Sequence, residues 1–319
     1  MKRKLSLISA ILAFAVLIVS SGAAAEACRR GISVCLELII PSLFPFFVLS
    51  LMLNRLGLPS ALGHVLTPLA ARIYGVSGAG ASALIIGLLG GYPLGAAYIA
   101  DMRRSGAVSA GEGERLLAFC NNSGPAFLIG AIGGGVFGSA RVGVLLYLVH
   151  VLSALLTGLF FRGKNACTES QPVLLDAVDI AASLPECVKQ AAVSLVNVCA
   201  FVVFFTVLAG VLDSGGAVSV LCGSISAHFG WELHFTRALL MGILELGSAA
   251  GAMQGLAVTP HNLALAACLV GWGGVSVHMQ TAAVLNGTNI KGALHFAGRL
   301  ISAAAAAVLA YALGILFIS

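Results

Sequence analysis

The sequence predicts an all-α polytopic membrane protein, and three observations carry that prediction. Of 319 residues, 59% are hydrophobic and only 9% are charged, with a mean hydropathy of +1.04. A soluble domain carries about 25% charged residues, so this chain has too few charges to cover a water-facing surface. Apolar stretches of about 20 residues, the length that spans a bilayer, recur along the chain. Finally, four of these stretches are cut by short Gly, Pro or polar motifs, and the order of cut and uncut stretches is the same in both halves. The net charge of +5 sits on loop Lys and Arg, with no basic cluster interleaved with aromatics, which excludes a nucleic-acid partner.

The elements follow in order. Lys2, Arg3 and Lys4 lead an apolar run over residues 5–19, followed by "SSGAAA" at 20–25. This fits a signal peptide or a first transmembrane helix over residues 5–27. The apolar sequence that resumes at once favours an uncleaved helix, and the leading charges favour a cytoplasmic start. Residues 32–53 form a helix that holds Glu37 and is bent by "PSLFPFF"; residues 54–78 form a connector with a short amphipathic piece. Residues 79–100 are cut by "GGYP", residues 101–115 are a polar loop, and residues 116–136 are cut by "NNSGP". Residues 142–161 span without interruption, and the polar stretch 162–179 reads as a linker.

The second half repeats this order. Residues 193–212 are apolar, 217–229 are a short apolar piece, 238–258 are cut near "ELGS", 263–285 are cut by "GWGG", and 293–318 form a clean final span. "GLLGGYPLGAA" aligns with "GILELGSAAGA" when one residue is inserted, and "AFCNNSGPAF" aligns with "ACLVGWGGVS". The expected organisation is an N-terminal helix over 1–27, a first repeat over 28–161, a linker over 162–185 and a second repeat over 186–319.

The breaks point to function. Non-helical backbone at membrane depth survives only inside protein or beside a water-filled cavity. A half-helix N-terminus after a break carries partial positive charge and open N–H donors. Paired breaks in two repeats mark a transporter site at the bilayer midplane. The candidate substrate-binding residues are therefore Tyr92, Asn121, Asn122, Ser123, Glu245, Ser248, Trp272, Gly273, Ser276, His278 and Gln280. Each has a structural alternative. The asparagines and Ser123 can satisfy freed backbone groups instead of a ligand. Glu245, a lone acid in an apolar segment, can bind a proton or cation or pair with a basic residue. His278 and Gln280 stand two apart and do not share a helix face. Tyr92 and Trp272 can cover a ring or pack between helices. Eight cysteines without a CxxC pair read as small buried hydrophobes. No catalytic, metal or cofactor motif is present: there is no P-loop, no GxSxG and no second ligand at metal spacing from His278.

The four motifs "GLLGGYPLGAA", "CNNSGPAFLIG", "GILELGSAAGA" and "GWGGVSVHMQ" resemble, in order, those of the YlbJ-type sporulation integral membrane proteins, which carry the nucleoside-recognition, or Gate, domain. The resemblance runs from about residue 28 to the end. Its specific parts are the asparagine pair and the run Gly-Gly-x-Ser-x-His-x-Gln. It implies an architecture similar to the concentrative nucleoside transporters: two inverted repeats, each with a re-entrant helical hairpin and a broken helix. It also implies transport of dipicolinic acid across the outer forespore membrane of a spore-forming bacterium. A small organic anion and the bilayer are then the expected partners. A nucleoside-like solute, or a scaffold role in sporulation without transport, are the alternatives. A transporter requires one cavity that meets all four breaks.

Overall fold

The computed structural model describes residues 2–163 and 180–318, and every regular element among them is helical. Most of the expected linker, residues 164–179, lies outside the described residues. The helices are α1 (Lys2–Val19), α2 (Ser21–Arg55), α3 (Leu58–Tyr74), α4 (Gly78–Gly90), α5 (Leu94–Arg104), α6 (Ala110–Cys120), α7 (Ala126–Val136, wound as a π-helix) and α8 (Ala140–Phe160). There follow α9 (Ile180–Ser214), α10 (Ala217–Phe229), α11 (Leu233–Leu244), α12 (Leu246–Met253), α13 (Pro260–Trp272), α14 (Gly274–Val284) and α15 (Ala293–Ile318).

Among the described residues, five helical segments are long and apolar enough to cross a membrane: Ser21–Arg55, Ala140–Phe160, Ile180–Ser214, Pro260–Val284 and Ala293–Leu316. Their outer faces match that role. On α8, Leu148, Leu152, Leu156 and Leu159 are exposed in one stripe, while Leu146, Val149, Ser153 and Thr157 face inward. The chain is a multi-pass, all-α integral membrane protein.

The order α2–α8 is matched element for element by α9–α15. Each series opens with a 35-residue helix and ends with a long uninterrupted one. Between them stand a shorter helix, a helical hairpin and a broken helix. The open ends of the two hairpins lie at opposite ends of α15. Arg103 and Arg104, at the open end of α4–α5, donate to the carbonyls of Thr288, Val284 and Asn286 just before α15 starts. The loop after the α11–α12 hairpin leads to Pro260, which packs against Gly314 near the far end of α15.

Local chemistry explains the boundaries. Serine or threonine side chains cap α4, α6, α8 and α13: Ser77, Ser109, Ser139 and Thr259 each accept a first-turn N–H. The Ser109 cap starts α6 inside what the sequence presents as a polar loop. Residues 58–74 form a full helix, more than the short piece expected. Likewise α9 starts 13 residues before the expected apolar run, because residues 180–192 continue the helix as an amphipathic turn sequence. The first helix ends at Val19 and a new one begins at Ser21, so no helix boundary falls at residue 27. In α2 the helix widens into a π-turn at Cys35–Ile39, where Pro41 cannot donate a backbone bond.

Close backbone approach fixes the first hairpin. A Cβ added at Gly87 or at Gly95 would collide with the carbonyl oxygen of Cys120, the last residue of α6. Neither neighbour is a flexible side chain that can move aside. Gly95→Ala is therefore expected to cost about 1–3 kcal/mol or more through overpacking. The control is Gly111→Ala, where nothing lies within 4 Å and the change should stabilise by roughly 0.5–1 kcal/mol. Thermal melting of the two purified variants checks the contrast; equal melting would refute the packing described.

Candidate functional site

The four breaks arise by different means. Gly91 ends α4 at φ 75°, and Gly273 and Gly274 separate α13 from α14 at φ 84° and 80°. These left-handed conformations favour glycine. The second break is extended at Asn121 and closed by Pro125, which has no N–H to continue the helix. The third break has no glycine or proline at its centre: Glu245 alone is extended, at φ −153° and ψ 130°.

The breaks touch in pairs. A Cβ at Gly91 would meet the Gly124 nitrogen at 2.8 Å, and one at Gly274 would meet the Leu244 carbonyl oxygen at 3.1 Å. Hydrogen bonds then join the halves. The Tyr92 hydroxyl donates to the Val270 carbonyl at 2.8 Å, and Asn121 Nδ2 donates to Thr281 Oγ1 at 2.9 Å.

A cavity of about 50 Å³ lies where the breaks meet. All four contribute to its wall: Gly91 and Tyr92 from the first; Ser123, Gly124 and Phe127 at the second; Glu245, Leu246 and Gly247 at the third; Ser276, Val277 and Gln280 just past the fourth. Ile39 and Leu43 of α2 and Val198 and Val202 of α9 complete it. The wall is thus apolar with a few convergent polar groups, the usual character of a small-molecule site.

Five of the eleven residues singled out in the sequence line this cavity: Tyr92, Ser123, Glu245, Ser276 and Gln280. The other six stand behind it. Asn121 accepts from the Ala96 N–H at 3.2 Å, which ties α5 to the second break. Asn122 donates to the Phe119 carbonyl at 2.7 Å and accepts from Arg299 at 3.2 Å. The Ser248 hydroxyl bonds Thr206 of α9. The Trp272 indole donates to the Ile243 carbonyl at 3.0 Å, and its ring packs 4.4 Å from that of His278. Gly273 lets α13 pass close to the Tyr92 hydroxyl. His278 points to His295 and Gln280 to the cavity, as their two-residue spacing requires.

Glu245 is buried and has no basic partner among the described residues. Its two carboxylate oxygens accept the Gly247 and Ser248 N–H groups at 2.8 and 2.5 Å, so it caps α12. A carboxylate at a helix N-terminus is favoured by the dipole and by charge-assisted bonds. The donors freed at the breaks are shared out unevenly. Those of α12 go to Glu245, the Ala96 N–H of α5 goes to Asn121, and the Ser123 N–H goes to His150 at 3.0 Å. By contrast, α14 has no side-chain cap at its first turn, beside Ser276.

Sequence reasoning missed a second set of polar residues. His150 on α8 and His295, Arg299 and Ser302 on α15 are buried at the second break. Arg299 Nη2 donates to the Ala118 carbonyl and to Asn122 Oδ1, both at 3.2 Å. The final span is therefore not clean. The signal was an arginine within a long apolar run, which marks a functional position by default.

Among curated proteins, the chain is 30% identical over 309 residues to the sporulation integral membrane protein YlbJ of Bacillus subtilis (strain 168), a match that covers 89% of this chain and 76% of that one. No family model and no solved structure matches the chain. Five candidate crossings, paired broken helices and this similarity agree, and the chain belongs to the YlbJ family of sporulation integral membrane proteins.

Proposed function

We propose that this protein is a secondary transporter or facilitator of a small organic anion, dipicolinate in a spore-forming bacterium. The observation that carries the reading is the single cavity walled by all four breaks. A scaffold gains nothing from placing four interrupted helices around one space, because each interruption must be re-satisfied inside the membrane. Dipicolinate is a flat aromatic ring with two carboxylates. Ser123, Ser276, Gln280 and the uncapped start of α14 supply donors, while Tyr92 and Phe127 supply ring faces. The dipicolinate assignment follows the family resemblance, and the small-anion class follows these donors.

The reading includes two inverted repeats. In this reading the long first helix, the broken helix and the last helix of each half cross once, which adds the broken helix α6–α7, each piece of it shorter than the five crossing segments, as a sixth crossing, while the hairpin enters and returns on one side. Three crossings are an odd number, so the second half is turned over relative to the first. The opposite placement of the two hairpin mouths along α15 supports this. Alternating access is then a rocking of one half against the other around a fixed site. A cavity of about 50 Å³ holds only a few waters, at roughly 10–15 Å³ each. Substrate admission therefore requires the lining side chains or the break segments to move apart.

The test is initial uptake of labelled dipicolinate by proteoliposomes. Uptake above that of empty liposomes, competed by unlabelled dipicolinate and not by a nucleoside, is the expected result. Competition by the nucleoside alone would move the substrate to that class. Uptake no faster than empty liposomes would end the transport reading.

A further inference from the structure

Buried polar atoms without hydrogen-bond partners gather behind the second break. Among the described residues they include Arg299 Nε and Nη1, His150 Nδ1, His278 Nε2 and His295 Nε2. Arg299 is 0% exposed and His150 1%. One turn further along their helices, the Ser153 and Ser302 hydroxyls lie 3.3 Å apart, which holds the two faces together.

The chemistry of this cluster follows from the roles of these atoms. His150 Nε2 accepts the Ser123 N–H, so a neutral ring carries its proton on Nδ1, where it has no acceptor. Arg299 spends Nη2 on Ala118 and Asn122 and leaves Nε–H and Nη1–H unused. Arg299 and His150 thus leave only donors unused, while His295, whose Nδ1 is bonded to the Leu117 carbonyl, leaves Nε2 as a single acceptor. The guanidinium has no acidic partner among the described residues. A buried charge and several unmet donors are costly unless something compensates them. Water would satisfy the donors but not the charge. An acceptor that carries negative charge satisfies both.

We propose that Arg299 and His150 form a binding site for a small anionic group, a carboxylate or a halide, behind the Asn122–Ser123 break. The site lies directly behind one wall of the transport cavity. Ser123 lines the cavity and its backbone N–H is bonded to His150. Tyr92, which also lines the cavity, is bonded to the Val270 carbonyl. Occupation by a carboxylate of the substrate rests on the transport reading; occupation by an inorganic anion does not.

The experiment is thermal melting of the full-length protein, purified in detergent, as chloride or dipicolinate is added at constant ionic strength against the bulky MOPS anion. Wild type should show a saturable rise in melting temperature. Arg299→Lys keeps the charge but loses the planar fork, and should raise the midpoint concentration roughly ten- to a hundredfold. Should that variant fail to fold, His150→Gln serves: its amide oxygen can still accept the Ser123 N–H, while the Nδ1 donor is gone, and the midpoint should again rise. Stabilisation by dipicolinate alone makes the site a substrate subsite, and stabilisation by chloride alone makes it an inorganic anion site. Competition between the two makes it shared, and each of these supports the site. No anion-dependent shift in wild type up to physiological salt, or the same shift in the variants, would overturn it. Uptake without any such shift would remove this site and leave transport standing; a shift without uptake would do the reverse.

Discussion

Replacing Glu245 by alanine is expected to cost the protein much of its stability and all of its uptake. The two carboxylate oxygens hold the N–H groups of Gly247 and Ser248 at the start of α12. Glu245 is 3% exposed, so alanine leaves both donors stranded inside the protein. Each stranded donor costs about 1–3 kcal/mol, and the pair about 2–6 kcal/mol, a large share of the roughly 5–15 kcal/mol that holds a typical fold together. The melting temperature should fall by about 3–9 °C. The hairpin tip should lose its shape, and with it one wall of the cavity. Glu245→Gln should sit between wild type and alanine. Its amide offers one oxygen for two N–H groups and turns a donor toward the second. Melting of the three purified proteins, with uptake normalised to folded protein, checks the order. An alanine variant that melts with wild type would show that the cap contributes nothing.

Asn122→Ala should also act through folding before it acts on transport. Asn122 is fully buried, does not line the cavity, and supplies the side-chain acceptor that Arg299 uses. Losing a hydrogen bond to a charged group costs about 1.5–3 kcal/mol, and here it leaves the guanidinium with only the Ala118 carbonyl. Asn122→Asp keeps an acceptor for Arg299 but loses the bond to Phe119, so it should recover part of the loss. Folded yield and melting temperature should rank wild type above Asp above Ala. Were Asp no better than Ala, the bond to Phe119 rather than that to Arg299 would be the one that matters.

Much of the fold is legible in the sequence because glycine and proline punctuate it. Gly91, Pro125 and Gly273 place three breaks within a residue or two, and the final helix begins and ends where its apolar run does. Helices α3 and the start of α9 are under-read because neither is continuously apolar. The site is legible only in part. Which residues belong to the breaks is a local matter, but which way their side chains turn is a tertiary one. Asn121 and Asn122 look like ligand contacts in sequence, yet Ala96, Thr281, Phe119 and Arg299 take up their hydrogen bonds. Glu245 looks like a lone acid in search of a cation, and its partner is the next turn of its own chain. Arg299 and His150 lie outside every motif and meet only when α8 and α15 pack against the second break.

The central claim is that the four breaks build one substrate site. The most direct test is a crystal structure of the protein in lipid with dipicolinate bound. The pyridine ring is expected between Tyr92, Ser123, Glu245, Ser276 and Gln280, in contact with both halves. Dipicolinate bound at a surface remote from these residues, with the cavity closed and uptake intact, would contradict it.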